Sequence, residues 1–217
     1  MSRLEQLILK LCPDGVVYKT LGEIATDMYR GSGIRRDEIT EDGEPCVRYG
    51  EIYTTYGIWF EDCVSRTKSG LKTFEYGDIL FAITGESVNE IAKSCAYMGR
   101  DCCFAGGDII VMKHKQNPKY LAYVLSTDDI QRQKSRGCVK SKVVHSSDTK
   151  LKSILIPIPP LEIQQEIACI LDKFTQLESE LESELELRKK QYEYYRNKLL
   201  TFDQRGGGEQ HSGDSEK

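Results

Sequence analysis

The amino-acid sequence predicts an α+β protein, with one loop-rich mixed domain followed by a long C-terminal coiled-coil helix. Between residues 16 and 158, short apolar runs rich in β-branched and aromatic residues alternate with Gly, Asp and Asn, as expected of strands and turns. Two segments with helical character interrupt these runs. From residue 171 to residue 202 apolar residues follow a heptad pattern, which is typical of a coiled coil.

The first element is predicted to be a short amphipathic helix. Leu4, Leu7, Ile8 and Leu11 stand at positions i, i+3, i+4 and i+7, which places them on one helical face. The turn residues of Cys12–Gly15 end the pattern. We expect the apolar face to dock against another part of the protein.

Six short apolar runs are predicted to be strands, because they are rich in strand-forming residues and are bounded by turn residues. They are Val16–Leu21, Cys46–Tyr49, Ile52–Phe60, Ile79–Ile83, Ile109–Met112 and Ile154–Ile158. Pro118–Leu125 and Asp128–Lys134 are predicted to be helices. This order of elements indicates a mixed α+β domain with an irregular sheet.

A long helix is predicted to follow Pro159 and Pro160, because a proline in the first turn followed by Glu and Gln residues favours helix initiation. Eight of its ten heptad core positions are apolar, and Glu178 and Arg188 are the exceptions. These eight residues, the heptad seam, are Leu171, Phe174, Leu181, Leu185, Tyr192, Tyr195, Leu199 and Phe202. A helix over residues 161–202 would be about 63 Å long.

The heptad seam has two interpretations. An amphipathic helix could fold back on its own domain, but such helices usually run about 8 to 20 residues, so the length favours a coiled coil. Acidic residues (Glu178, Glu180, Glu182, Glu184, Glu186) precede basic ones (Arg188, Lys189, Lys190, Arg196, Lys198) along the helix. An antiparallel copy would set acids against bases, so the charge order predicts antiparallel pairing.

Three segments are therefore expected along the chain. A globular domain covers residues 1–158 and the coiled-coil helix covers residues 159–203. Residues 204–217 form a tail predicted to be disordered, since it contains Gly206–Gly208 followed by Ser, Gly, Asp and Glu.

The sequence predicts a cytoplasmic protein that does not cross a membrane. No window approaches 18 consecutive apolar residues, and the N-terminal segment lacks the apolar core of a signal peptide. The 8 cysteines are accordingly expected to be reduced thiols. There is no Cys-x-x-Cys motif, so we expect neither a bound metal nor another cofactor.

Positive charge is concentrated in one stretch, although the net charge is −4. Residues 130–150 hold six basic residues against one acidic residue, Asp148. Such a stretch is a candidate for contacts with nucleic-acid phosphates, and a solvated loop is the alternative interpretation.

Two short motifs raise the question of catalysis. Asn117–Tyr120 is similar to the Asn-Pro-Pro-Tyr loop of adenine methyltransferases but lacks the second proline, and no glycine-rich loop offers a methyl-donor site. A turn that starts a helix at Pro118 is the better explanation of the Asn117–Tyr120 motif. Asp148–Lys150 matches the Asp-x-Lys end of metal-dependent nuclease sites, but the upstream carboxylate that such a site needs is not identifiable. The sequence therefore predicts a protein without catalytic activity of its own.

The segment Ile156–Ile167 resembles the junction between a target recognition domain and its spacer helix in specificity subunits of type I restriction-modification systems. The resemblance continues through Leu171–Phe174 and Leu185–Arg196, in the spacer helix. Upstream segments are similar to recurrent landmarks of the recognition domains: Cys12–Val16, Arg48–Tyr53, Gly77–Phe81 and Gly106–Ile109. The similarity extends from about residue 3 to residue 202, and the order of the landmarks makes it specific.

The resemblance implies a sequence-specific DNA-binding subunit whose recognition domain is residues 1–158. Its expected partners are double-stranded DNA, methyltransferase subunits that supply catalysis, and a restriction subunit. Members of this family usually carry two recognition domains and two antiparallel spacer helices, whereas this chain has one of each. We therefore expect a half subunit that forms a homodimer through antiparallel spacer helices and reads a bipartite, palindromic site.

Three loops are expected to carry the DNA contacts, because glycines let the backbone approach a groove and Arg or Lys can contact guanine or phosphate. They are Tyr29–Arg36, Ile83–Ser87 and Arg136–Lys142. The candidate residues are Arg30, Ser32, Arg35, Arg36, Thr84, Glu86, Arg136, Lys140 and Lys142. Two alternatives to a DNA reader stay open: a coiled-coil adaptor without DNA binding, and a truncated remnant of a specificity subunit.

Overall fold

A computed structural model describes residues 2–85, 90–136 and 144–202 of the 217-residue chain. The chain divides into two compact units, Met1–Leu171 and Asp172–Lys217. The helices are α1 (Arg3–Leu11), α2 (Leu21–Ile24), α3 (Tyr49–Thr54), α4 (Pro118–Leu125), α5 (Asp128–Ser135), α6 (Asp148–Lys152) and α7 (Leu161–Leu200), with a 3₁₀ turn at Arg36–Glu38. None of the helices in these described ranges is long and apolar enough to cross a membrane.

Thirteen short strands form the sheets of the described part of the first unit. They are β1 (Tyr18–Thr20), β2 (Ala25–Arg30), β3 (Ile39–Val47), β4 (Trp59–Phe60), β5 (Ser65–Thr67), β6 (Thr73–Phe74), β7 (Ile79–Ala82), β8 (Thr84–Gly85), β9 (Ser94–Tyr97), β10 (Cys103–Ala105), β11 (Ile109–His114), β12 (Val144–His145) and β13 (Leu155–Pro157). A five-stranded sheet has the order β2-β11-β7-β9-β4, and a four-stranded sheet has the order β5-β3-β10-β6. Two further pairs are β1 with β13 and β8 with β12.

The inner strands of the five-stranded sheet, β11, β7 and β9, are buried on both faces. Successive residues of β11 enter two different cores, since Ile110 and Met112 belong to one cluster and Ile109 and Val111 to the other. Because strand side chains point alternately to opposite faces, a continuous apolar run is what a strand needs when both faces are covered. This explains why the predicted strands Ile79–Ile83 and Ile109–Met112 are confirmed.

Helices supply the core on one face of this sheet. Leu121 and Leu125 of α4, Ile130 of α5 and Leu151 of α6 are buried in the cluster that contains Phe81 of β7. Apolar side chains of this kind each contribute roughly 1.5 to 3 kcal/mol when fully buried. Helices α4 and α5 confirm the two helices predicted in this region.

The opposite face holds an aromatic core and the helix α3. Tyr56 and Phe60 stack with ring centroids 4.0 Å apart. Phe74 and Tyr97 meet edge to face at 5.0 Å. Ile52 of α3 is fully buried in the same cluster. Ile52 thus fixes one face of α3 against the sheet. The exposed residues Tyr49 and Thr54 of the same helix lie at the surface.

One element prediction was wrong. The run Ile52–Phe60 was expected to be a strand, but Tyr49–Thr54 forms α3 and only Trp59–Phe60 is extended. The reason is a capping interaction: the backbone amide of Arg48 donates to Oε2 of Glu51 at 3.0 Å, which satisfies a donor at the start of the helix. Local capping and the burial of Ile52 outweigh the strand preference of the aromatic residues.

Helix α1 confirms the predicted N-terminal helix but has no buried residue. Of its apolar face, Leu4, Leu7 and Leu11 are partly buried and Ile8 is exposed, so the expected docking is partial. Helix α7 confirms the long helix, and its first turns contribute Ile163, Gln164 and Ala168 as buried residues. Within the second unit, every residue of α7 from 173 onwards is exposed.

Candidate nucleic-acid interface

The second predicted loop lies beside the segment that follows the third predicted loop in the sequence. Strand β8, which carries Thr84, pairs antiparallel with β12, which follows the third loop. The amide of Ser146 donates to the carbonyl of Ile83 at 2.8 Å. A pocket of about 380 Å³ is lined by Arg30 of the first region, Ile83 of the second and Ser146, which follows β12. The tertiary structure therefore brings together segments that are far apart in sequence.

The first loop is fastened to the β10–β11 turn. The amide of Gly31 donates to the carbonyl of Ile109 at 2.8 Å. The amide of Ser32 donates to the carbonyl of Ala105 at 3.0 Å. A Cβ at Gly31 would lie 2.2 Å from the carbonyl oxygen of Gly106, so only glycine allows this approach. Backbone hydrogen bonds at Gly31 and Ser32 therefore hold the loop in place. The side chains of Arg35 and Arg36, further along the loop, are exposed.

A cleft of about 480 Å³ lies between this loop and α3. Its lining residues are Gly33, Ile34, Arg36, Arg48, Tyr49, Gly50, Glu51, Thr54, Gly106, Gly107 and Asp108. Two arginines, Arg36 and Arg48, therefore line the same cleft from different elements. Two carboxylates, of Glu51 and Asp108, line it as well, and they pair with Arg48 and Arg30 respectively. Arg36 therefore adds a positive charge that these pairs do not neutralise.

A second cleft, of about 360 Å³, lies on the other side of α3. It is lined by Tyr49, Gly50, Tyr53, Thr54, Thr84, Gly85 and Glu90, and so shares Tyr49, Gly50 and Thr54 with the first cleft. The hydroxyl of Tyr53 donates to the carbonyl of Ala82 at 3.0 Å, and burial raises the pKa of this phenol to about 12. Helix α3 is thus flanked by clefts that each contain part of a predicted DNA-contacting loop.

The side chain of Arg48 is oriented by a buried carboxylate. Its Nε donates to Oε1 of Glu51 at 2.9 Å. The same Oε1 accepts a hydrogen bond from the hydroxyl of Ser65 at 2.6 Å. Glu51 is 6% exposed, so this ion pair lies where water screens it weakly.

The predicted contact residues of the first loop differ in their surroundings. Arg30 ends β2 and does not lie in a loop, and its guanidinium is bonded to the Asp108 carboxylate and the Gly107 carbonyl. The hydroxyl of Ser32 accepts a hydrogen bond from the amide of Leu71 at 3.2 Å. Arg35 and Arg36 are exposed. Arg30 is exposed as well, but its guanidinium already has the partners named above, whereas Arg35 and Arg36 lie beyond the end of β2.

The remaining predicted contact residues are distributed between the other two loops. Thr84 lies in β8 and is partly buried, and Arg136 is exposed at the end of α5. Glu86, Lys140 and Lys142 lie outside the described residues. Their contacts with DNA stay predictions.

The two motifs that raised the question of catalysis have structural roles. Oδ1 of Asn117 accepts from the amide of Tyr120 at 2.9 Å, which makes Asn117 the N-cap of α4 and confirms the predicted helix-starting turn. Asp148 begins α6 and pairs with Lys152 at 2.7 Å. Within residues 2–85, 90–136 and 144–202, no cluster of three or more His, Cys, Asp or Glu could hold a metal ion.

The heptad seam is presented by α7. Leu171, at the end of the first unit, is partly buried. The other seam residues are exposed by 50% to 80%: Phe174, Leu181, Leu185, Tyr192, Tyr195, Leu199 and Phe202. Contiguous exposed apolar surface of this kind marks an interaction site. The residues expected to form a helix–helix contact therefore have no cover within the described chain.

Three residues of the site were not among the predicted DNA contacts: Arg48, Tyr49 and Thr54. They stand in or beside a run that was expected to be extended. The signal that could have found them is the spacing of Arg48 and Glu51, since a Glu three residues after an N-cap is typical of a helix start.

Comparison with known proteins identifies relatives along most of the chain. The sequence model of a family described as the type I restriction modification DNA specificity domain matches residues 13–187. The specificity subunit of the Escherichia coli type I restriction enzymes EcoR124I and EcoR124II is 45% identical over 89 residues, which cover 39% of this chain and 21% of that protein. A type I specificity subunit of Mycoplasma pneumoniae is 34% identical over 185 residues, covering 80% of this chain and 44% of that protein. This chain spans less than half the length of either relative.

Two solved structures share the fold. One is a chain from a structural study of the assembly and conformational transition of the type I R-M system, with a TM-score of 0.60, 18% identity, and coverage of 86% of this chain and 50% of that chain. The other is the HsdS subunit from Thermoanaerobacter tengcongensis, with a TM-score of 0.57, 17% identity, and coverage of 83% and 44%. At these identities the likeness concerns the fold, and it confirms the predicted α+β class.

Proposed function

Because the chain belongs to the family of the type I restriction modification DNA specificity domain, we propose that it reads the DNA target of a type I restriction-modification complex. The observation that carries this proposal is the convergence of two predicted DNA-contacting loops on α3, where two arginines line one cleft. Residues 1–158 are the recognition domain and α7 is the spacer helix. The resemblance derived from the sequence and the family match thus point to the same function.

The surface around α3 has the features that DNA recognition requires. Exposed Arg35 and Arg36 can approach phosphates or guanine, while Tyr49 and Thr54 border both clefts and are exposed. Phosphate contacts fix the position of a protein on the duplex, and contacts with base edges supply the sequence information. The basic stretch of residues 130–150 adds candidate phosphate contacts, and β12 within it pairs with β8, which carries Thr84 of the second cleft. Lys134 is the exception in this stretch, because it is buried and donates to the carbonyl of Leu125.

In this function the chain has no catalytic role. Methyltransferase subunits bind to it and supply methyl transfer, and a restriction subunit completes the complex. The helix-capping role of Asn117 and the ion pair of Asp148 with Lys152 support this part of the proposal.

The spacer helix pairs with a second copy of the chain. Its exposed seam needs an apolar partner, and its acidic half precedes its basic half, as antiparallel pairing of identical helices requires. Two-fold symmetry then sets two identical recognition domains on one DNA, so that the target is bipartite and palindromic. The gap between the two half-sites is set by the length of the spacer.

The proposal is tested by co-expressing the chain with any methyltransferase subunit that a neighbouring gene encodes and mapping the methylated adenines in the host DNA. We expect one bipartite, palindromic motif that disappears when this chain is omitted. An asymmetric motif with this chain as the sole specificity subunit would contradict the homodimer.

A coiled-coil adaptor is the alternative that the exposed seam also favours. Titration of the purified chain with duplex DNA at several salt concentrations separates the two functions. A DNA reader binds with an affinity whose logarithm falls linearly with the logarithm of the salt concentration, whereas an adaptor shows no such binding.

A further inference from the structure

The cleft beside α3 contains a guanidinium that is oriented before any ligand binds. Both the amide and the Nε of Arg48 donate to Glu51, at 3.0 and 2.9 Å, so one carboxylate holds the backbone and the side chain of the same residue. The hydroxyl of Ser65 donates to that carboxylate at 2.6 Å and fixes it in turn. The Arg48 side chain therefore has little freedom to rotate.

The far edge of this guanidinium is available. Glu51 occupies Nε, and among the described residues no hydrogen-bond or ion-pair partner exists for the two terminal nitrogens of Arg48. The side chain is 36% exposed and lines the cleft together with Tyr49 and Thr54. A planar fork of N–H donors thus borders a cleft that is open to a ligand.

We infer that Arg48 is a specificity-determining residue that reads a guanine of the target, an inference that rests on the proposed function. Guanine presents two acceptors, O6 and N7, in the major groove, and the paired donors of an arginine match them. A buried carboxylate that holds the near edge leaves the terminal donors pointing in a fixed direction. Such preorganisation lowers the entropic cost of binding.

The surroundings favour a base edge over a phosphate as the ligand of Arg48. A phosphate contact needs charge alone, which the exposed Arg35 and Arg36 supply without a buried partner. Reading one base needs a defined direction, and Glu51 and Ser65 supply it for Arg48. Arg48 also precedes α3 directly, so its position relative to the exposed Tyr49 and Thr54 is fixed by the helix.

The test selects binding sites from a pool of duplexes with a randomised centre, using the purified full-length chain and then its Arg48→Lys variant. Lysine keeps a cation beside Glu51, so the buried carboxylate stays paired, but it lacks the fork of donors. We expect the wild-type protein to select a motif with guanine at one position of each half-site. The variant should lose roughly 5- to 150-fold of that preference and keep the other positions.

Arg100→Lys is the matched control, because Arg100 is exposed and lines neither cleft beside α3. It should select the wild-type motif with unchanged affinity. Thermal unfolding of both variants checks that the fold is intact.

Three outcomes would overturn the inference, and they are distinguishable. If Arg48→Lys selects the wild-type motif, whether with unchanged or uniformly weaker affinity, Arg48 does not read a base and the proposed function stands. If the variant loses every position of the motif equally, its role is structural. If the wild-type chain binds DNA but selects no motif, the proposed function fails together with the inference.

Discussion

The backbone amide of Asn117 donates a hydrogen bond of 3.0 Å to the side-chain Oε1 of Gln164, which joins the start of α4 to the start of α7. The side-chain amide nitrogen of Gln164 donates in turn to Oε1 of Gln116 at 2.8 Å and to the carbonyl of Pro159 at 2.7 Å. Gln164 is 0% exposed. One glutamine side chain therefore fastens the first turn of α7 to the segment that begins α4.

Replacing Gln164 with Leu should lower the free energy of unfolding of the first unit by about 1 to 3 kcal/mol, because buried backbone groups at Asn117 and Pro159 are left without their partner. The measurement is chemical denaturation followed by circular dichroism. Gln165→Leu is the matched control: Gln165 is exposed and only accepts a hydrogen bond from the Asn117 side chain. An equal loss of stability in both variants would contradict the role assigned to Gln164.

Lys134 should make stability depend on pH. Its side chain is 3% exposed and donates to the carbonyl of Leu125 at 2.9 Å, and burial lowers its pKa to about 7 while nearby Cys95 acts in the opposite direction. The unfolded chain, with a lysine pKa of about 10.4, keeps the proton that the folded chain has released. Stability therefore rises with pH above about 7 and this contribution is lost as the pH falls towards 7.

Denaturation of the wild-type chain and of Lys134→Met at about pH 7 and pH 8 measures this contribution. We expect the free energy of unfolding of the wild type to rise by up to about 1 kcal/mol more than that of the variant. The comparison stops near pH 8 because burial raises the pKa of the Cys46 and Cys95 thiols to about 11 and 12. At higher pH these thiols lose their protons in the unfolded chain before they do so in the folded chain, which lowers stability. Equal pH dependence in the two proteins would exclude Lys134 as its cause.

Arg36 and Arg30 should respond differently to substitution, although both were expected to contact DNA. Arg36→Ala should change which site is preferred, by about 1 to 3 kcal/mol if the side chain contacts guanine. Arg30→Ala should lower stability by up to about 1 kcal/mol, because it removes the partner of Asp108 at the surface. Methylation mapping and thermal unfolding of the two variants separate these effects. A change of preference in Arg30→Ala alone would reverse the assignment.

Lys140 and Lys142 should contribute to affinity without contributing to preference. Replacing both with Ala is expected to weaken binding to all duplexes alike. The slope of log affinity against log salt concentration should fall by about 1 for each phosphate that is no longer neutralised. Fluorescence anisotropy with a specific and an unrelated duplex measures both quantities. Unchanged affinity and slope would remove these lysines from the DNA interface.

Leu181→Asp should abolish pairing of the spacer helices. The side chain is 67% exposed in the single chain, and burying a Leu contributes roughly 1.5 to 3 kcal/mol, whereas a buried carboxylate is strongly unfavourable. Sedimentation velocity should find a dimer for the wild type and a monomer for the variant.

Glu182→Ser, one position further along the same helix, should stay dimeric because it leaves the heptad seam intact. Insertion of a complete heptad into the spacer should change the gap in the DNA site and preserve the half-sites. A monomeric wild type in the active complex would refute the pairing model.

The sequence by itself determined the elements whose signals are local. Apolar periodicity predicted α1, α4, α5 and α7, and continuous apolar runs predicted β7 and β11, because the side chains that decide these elements are neighbours along the chain. It also determined the family, through landmarks that recur in order. It did not predict α3, whose start depends on Glu51 as well as on the burial of Ile52 against the sheet.

Only the tertiary structure decided which candidate residues share a surface. Arg30 and Arg36 are close in sequence, yet Arg30 is bonded to Asp108 and Arg36 lines the cleft with Arg48. These differences arise from contacts between segments far apart in the chain, such as the pairing of β2 with β11. Local sequence preferences do not encode such pairings, because the hydrogen bonds and burial that select them exist only once the sheets have formed.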